Sequence, residues 1–447
     1  MPPFRPLALA LVLVTCAALP AAAELPPPPA DPAVAAAIAR ISADRLRATD
    51  TRLVAFGTRS TFSENAAPSR GVFAARAYLL ERFREIVRTS GGRMSVALDT
   101  YTQRADAKRI PRDVVISSVV ATLKGDDPSG RTFVMSSHYD SRNTNNEDGV
   151  HDAPGADDNG SGTAAVLDAA RVLASLPMHA TVIFACFDSE EQGLFGSAHL
   201  AQVLKAEHVE VQGDLNNDII GASVGDDGVK RDDQIRIFSE ALPHGADPAR
   251  VDVIGGENDS PSRQLARYVK ETSDAYPTGL HGTLIWRADR FLRGGDHESF
   301  NAQGFAAIRF TEPRENFHHQ HQDVRVENGI QYGDLMQYVD FDYLAKVTRY
   351  NAASLASLAL APAAPKASVL TKELTNDTTL TWDAVPRAVR YEVVRRSTTD
   401  AEWSSVQDVG AVTTVTLHES KDNAIFGVRS IDAQGHRSLV AFPAPVR

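Results

Sequence analysis

The segment Ala180-Thr-Val-Ile-Phe-Ala-Cys-Phe187 is almost continuously apolar, and Asp188, Glu190 and Glu191 follow at once. A strand that is buried on both faces of a mostly parallel sheet reads this way, whereas a half-exposed strand alternates. Strands are also predicted at Val114–Leu123, Thr132–Ser136, Val209–Leu215, Gln234–Ser239 and Ala306–Phe310, with an Ala/Val/Leu helix over Gly162–Leu176. Upstream, helices are predicted over Asp31–Arg47 (Val34, Ile38, Ile41, Leu46 on one face) and Gly71–Arg88 (Val72, Ala75, Leu79, Phe83, Ile86). Strands alternating with helices predict a three-layer α/β/α domain around a mixed, mostly parallel sheet.

With 447 residues, a second folded unit is expected. Composition changes at the Ala/Pro stretch Leu358-Ala-Leu-Ala-Pro-Ala-Ala-Pro-Lys366, which predicts a linker over 358–367 between an α/β domain at 34–357 and a tail at 368–447. The tail holds short β-rich segments between polar turns, a pattern that predicts a β-sandwich. Through Leu380-Thr-Trp382-Asp, Tyr391-Glu-Val-Val and Phe426-Gly-Val-Arg-Ser-Ile-Asp432 it resembles a fibronectin type III domain, which implies a module that could bind a surface or polymer.

Arg5, the apolar run Leu7–Leu19 and Ala21-Ala-Ala23 predict an export signal over 1–23, followed by a Pro-rich leader over 24–33 and a secreted or periplasmic destination. Lipid attachment at Cys16 is disfavoured, because Thr15 stands where such sites want a smaller residue. The apolar run is too short to span a bilayer, so no membrane insertion is expected. Removing the signal leaves Cys186 as the sole cysteine and no possible intramolecular disulfide. The formal charge of −11 argues against nucleic acid or anionic membrane as a partner.

Chemistry gathers where the strands end. Met135-Ser-Ser-His-Tyr-Asp140 places His138 and Asp140 at a strand exit; alone, a His-x-Asp there is more often a polar turn. Pro154-Gly-Ala-Asp-Asp-Asn-Gly-Ser-Gly162 reads equally well as a turn with a helix cap or as a carboxylate site that backbone can approach closely. Glu190 and Glu191 are harder to explain without a cation, because burying two like charges costs several kcal/mol, on the order of what a group avoids by neutralising. Asp218 repeats the pattern after the next strand, and Asn316-Phe-His-His-Gln-His-Gln-Asp323 supplies three histidines, which in isolation could be a surface loop. Together these carboxylates and imidazoles, with no thiolate and one spare Glu, suit zinc. Cys186 lies in the apolar strand and is read as core.

With these five motifs in order, including Ser189-Glu-Glu-Gln-Gly-Leu-Phe-Gly-Ser197 and Asn217-Asp-Ile-Ile-Gly221, the chain resembles the two-zinc aminopeptidases of the MH clan, the secreted bacterial leucine aminopeptidases. Weaker echoes extend from Ala55-Phe-Gly-Thr-Arg59 to about Leu355. The resemblance implies two zinc ions, with His138 and Asp218 on one, Glu191 and His319 on the other, and Asp157 bridging. It further implies Asp140 as the buttress of His138, Glu190 as general base, a cis bond between Asp157 and Asp158, and peptide N-termini as substrate. His318, His319 and His321 compete for the last ligand position, and counting back from Asp323 favours His319. Gly295-Asp-His-Glu-Ser-Phe300 resembles a segment lining the site, which suggests Asp296 and His297 as substrate-positioning residues. Three rivals stand beside this reading: a carboxypeptidase using Arg142, Arg287, Arg290 or Arg293, a glutaminyl cyclase-like enzyme with one zinc, and a non-catalytic binding protein.

Overall fold

A computed structural model describes residues 29–63, 69–106, 108–243 and 245–446; the expected export signal lies outside the described residues. Eight strands form the central sheet: β1 (Met94–Gln103), β2 (Val114–Leu123), β3 (Thr132–His138), β4 (Thr181–Phe187), β5 (Val211–Asn217), β6 (Gln234–Ser239), β7 (His281–Ile285) and β8 (Ala307–Thr311). Their order is β1-β2-β4-β3-β5-β8-β6-β7. The inner strands β4, β3, β5 and β8 run parallel to one another, flanked by antiparallel β2 on one side and β6 on the other.

Burial follows the period of two that a pleated strand imposes. Phe133, Met135, Val182, Phe184 and Cys186 pack into the larger core, beneath the helices Gly162–Leu173 and Phe341–Leu360. Val134, Ile183, Ala185 and Phe187 face the opposite layer, against Leu200, Leu204 and Phe300. Every residue of β3 is buried, including the polar Thr132, Ser136, Ser137 and His138, because the strand lies inside the sheet between β4 and β5.

Three local expectations change. The helix anticipated over Asp31–Arg47 is two, Pro32–Ile38 and Ala43–Val54, the second starting after an extended Ser42. The edge strand β1 escaped notice because most of its residues face solvent. The last helix of the α/β domain runs on to Leu360, since Ala and Leu favour a helix until Pro362 restricts the residue before it. Strand follows from Ala367, so the linker expected over 358–367 shrinks to 361–366.

Beyond it, residues 367–446 build one four-stranded and one three-stranded sheet around Leu380, Trp382, Tyr391, Val393, Phe426 and Val428. This unit is welded to the α/β domain. Arg396 pairs with Asp259 at 2.6 Å, both buried, and Arg429 reaches Glu271 at 2.9 Å. The Arg267 guanidinium lies over both the Trp286 and Trp403 rings, at 5.0 and 5.7 Å from their centroids. Among the described residues, no helix is long and apolar enough to cross a membrane.

Candidate metal centre

In an open α/β sheet, ligands gather beyond the carboxyl ends of the parallel strands. His138 is the last residue of β3, Asp218 follows β5, and Glu190 and Glu191 lie in the turn after β4. His321 arrives from the loop that follows β8. Buried Arg59 holds the remaining side of the site together, donating to the carbonyls of Tyr139 (2.6 Å), Pro154 (2.5 Å) and Gly155 (2.8 Å). Gly155 has φ +55° and packs where a Cβ would strike Ser141 and the Asp158 carbonyl, so the tight approach into Ala156–Ser161 requires glycine.

Two donor sets share one carboxylate. His138 Nε2 lies 3.2 Å from Asp158 Oδ1 and 3.5 Å from Asp218 Oδ1. His321 Nε2 lies 2.9 Å from Asp158 Oδ2 and 3.1 Å from Glu191 Oε2. The two carboxylate oxygens of Asp158 thus face the two imidazoles. Asp140 organises both sets: its carboxylate accepts the N–H groups of Glu190 and Glu191, each at 3.2 Å, and it also faces His138 Nδ1 at 3.4 Å. With Nδ1 engaged there, the Nε2 lone pair points into the cluster. Glu190 stands apart from both sets, its Oε2 4.0 Å from His138 Nε2.

Four of the expected residues therefore take different places. Asp157, the expected bridge, lies outside both donor sets: its Oδ1 accepts the Gly221 N–H at 2.7 Å, and its carboxyl is hydrogen-bonded to Glu312. Its neighbour turns inward instead, because Asp334 accepts both the Asp157 and Asp158 N–H groups (2.8 and 2.7 Å) and Asp158 leaves the helical conformation at φ −110°, ψ 89°. The cis peptide bond likewise joins Asp158 to Asn159, not Asp157 to Asp158. His319 faces away, stacked on Tyr338 with ring centroids 3.4 Å apart, while a left-handed backbone at φ +51° swings His321 into the site. Asp296 and His297 are fully buried: Asp296 lies behind the site, within electrostatic reach of His138 and Asp218, and His297 Nε2 meets the Ala288 carbonyl at 2.8 Å and secures the loop before its helix.

Electrostatically the site holds more negative charge than the chain neutralises. Burial pushes Glu190 well above the usual carboxylate range; His138 opposes this, and Glu191 and Asp218 add to it. Burial opposes protonation of His321, but Glu191 and Asp158 outweigh it and raise the imidazole well above its ordinary value. Burial also drives up Glu312 and Asp334 behind the site, each pushed further by Asp157. The compensating cation in the wall is Arg309, 3.0 Å from Asp218 and 2.9 Å from Asp289. Sequence reasoning missed Arg309, Asp289, Glu312 and Asp334. A charge inside the apolar β8 stretch was a usable signal for Arg309; isolated acids in loops carried none.

The donor atoms fit a metal ion. His138 Nε2, Asp218 Oδ1 and Glu191 Oε1 are buried with no hydrogen-bond partner, a costly arrangement unless a cation completes it. His138, Asp158 and Asp218 form one group whose ligand atoms lie within 4.8 Å of one another, and Asp158, Glu191 and His321 form another. Two imidazoles, three carboxylates and no thiolate at the mouth of a cleft of ≈ 580 Å³ are the features of a zinc hydrolase.

Known proteins point the same way. The model of peptidase family M28 matches residues 118–338, a span holding every residue of both donor sets. A probable zinc metalloprotease of Leptosphaeria maculans is 46% identical over 418 residues, covering 92% of this chain and 97% of that one. Another, from Pyricularia oryzae, is 44% identical over 435 residues and covers 95% and 86%. Among solved structures, the LapA aminopeptidase of Legionella pneumophila superposes with TM-score 0.51 at 19% identity over 73% of this chain and 74% of that one. An aminopeptidase from Aneurinibacillus sp. strain AM-1 gives 0.50 at 14% identity, over 72% and 95%. The chain belongs to peptidase family M28 and is a zinc metallopeptidase.

Proposed function

We propose that the protein is a secreted exopeptidase that removes N-terminal residues from peptides, with two zinc ions per chain. His138 and Asp218 would hold one ion, Glu191 and His321 the other, and Asp158 would be available to both. The observation that carries this reading is the sharing of Asp158 between two donor sets in which His138 Nε2, Asp218 Oδ1 and Glu191 Oε1 are buried without a hydrogen-bond partner. Zinc held there acidifies water and draws electron density from the scissile carbonyl.

The chain supplies the proton transfer. Glu190 belongs to neither set and lines the cleft beside both. It takes the proton of the attacking water and delivers it to the leaving amine. Asp140 is a positioning residue, since it fixes the His138 ring and the backbone of both glutamates. Residues 1–23 are the proposed export signal and 367–446 a fibronectin type III-like unit. Its ion pairs with the α/β domain favour a structural role for this unit, beside the surface or polymer binding its resemblance allows.

Zinc content measured with hydrolysis of leucine anilide, with and without chelator, tests the metal; an N-acetylated peptide tests direction. Two zinc ions per chain, chelator-sensitive activity and no cleavage of the blocked peptide are expected. Equal cleavage of blocked and free peptides overturns the N-terminal direction.

A further inference from the structure

Five arginines line the cleft: Arg109, Arg142, Arg290, Arg293 and Arg309. Three are spoken for. Arg309 is held between Asp218 and Asp289; Arg290 pairs with Asp289 and Glu315 at 3.0 and 3.1 Å; Arg293 meets Glu315 at 2.9 Å. The other two have no carboxylate partner among the described residues. Instead, backbone carbonyls hold them in place: Arg109 Nη1 reaches the Glu191 carbonyl at 3.4 Å, and Arg142 donates through Nε to Asn143 and through Nη2 to Thr144, each at 3.1 Å. Both sit on the half of the cleft built by Glu191 and His321. Arg109 comes from the loop before β2 and also packs beside Gly193, and Arg142 follows the β3 exit.

Carbonyl contacts orient a guanidinium without neutralising it, and Arg retains spare donors in a fork that matches a carboxylate. In a chain of net charge −11, two guanidiniums with no carboxylate paired to them among the described residues, facing one half of the cleft, are a directed charge. We infer that Arg109 and Arg142 form a subsite for a substrate carboxylate close to the scissile bond. This rests on the exopeptidase reading and adds a substrate class to it: acidic or very short peptides. The carboxylate could belong to the N-terminal side chain, to the next side chain, or to the C-terminus of a dipeptide.

Three matched pairs separate these sources on the zinc-loaded full chain: aspartyl against asparaginyl anilide, Leu-Asp-amide against Leu-Asn-amide, and Leu-Gly against Leu-Gly-amide. At least one pair is expected to favour the carboxylate in kcat/KM by on the order of tenfold, as a charge-assisted contact provides. In Arg109→Gln/Arg142→Gln that ratio is expected to fall towards one, with unchanged zinc content. Ratios near one for all three pairs in the native protein overturn the inference. So does a variant that loses both members of a pair in parallel, the signature of a structural role. Failure to cleave any unblocked substrate would instead refute the exopeptidase reading itself.

Discussion

The two halves of the metal centre are built differently. His138 and Asp218 stand at the exits of adjacent parallel strands, and His138 is sealed from solvent. Arg309 locks Asp218 from behind, and Asp140 locks His138. The other half takes Glu191 from a turn and His321 from a loop, and the His321 side chain remains 33% exposed. One half is a by-product of the sheet; the other joins a strand-exit residue, Glu191, to a loop residue, His321, aimed by its left-handed backbone.

That contrast predicts unequal damage. Asp218→Ala is expected to cost stability as well as metal: it leaves Arg309 buried with one partner fewer, a loss of about 3 kcal/mol by analogy with broken buried pairs, read as a lower denaturation midpoint. His321→Ala is expected to lose zinc and activity while its midpoint, measured without metal, stays close to native. Equal destabilisation by the two changes would erase the distinction between the halves.

Glu190→Gln should leave both halves loaded and lower kcat by about 10²–10⁴-fold, the usual range for a general base. Substantial retained activity would move the base elsewhere. Asp140→Asn touches both halves at once and is expected to lower metal affinity or activity by about 10–100-fold, as outer partners of ligands do. The smallest effect belongs to His319→Ala, which removes a ring stacked on Tyr338 outside the donor sets and should leave zinc content unchanged. A variant that binds one ion fewer would restore His319 as a ligand.

The same contrast decides what could be read beforehand. A near-continuous apolar run located β4 and strand-like segments located β3 and β5, and the polar residues at their exits, His138, Glu190, Glu191 and Asp218, were legible because a strand end has one geometric meaning. Asp157 and Asp158 are adjacent carboxylates in a glycine-crowded segment, and which of them turns inward depends on Asp334, nearly two hundred residues away in sequence. His319 and His321 differ by two positions in a turn where one backbone dihedral reverses the ring. Counting from Asp323 could not see that dihedral. The exposed β1 and the helical ending at Leu360 were hidden for simpler reasons: weak burial in one, and Ala/Pro composition read as linker in the other.

Asp158 turns one carboxylate oxygen to each half. Elemental analysis of zinc in purified Asp158→Asn, beside Asp157→Asn, tests that sharing most directly. The account predicts that Asp157→Asn keeps two ions per chain and Asp158→Asn keeps at most one. Two tightly bound ions in Asp158→Asn, or their loss in Asp157→Asn alone, would contradict it.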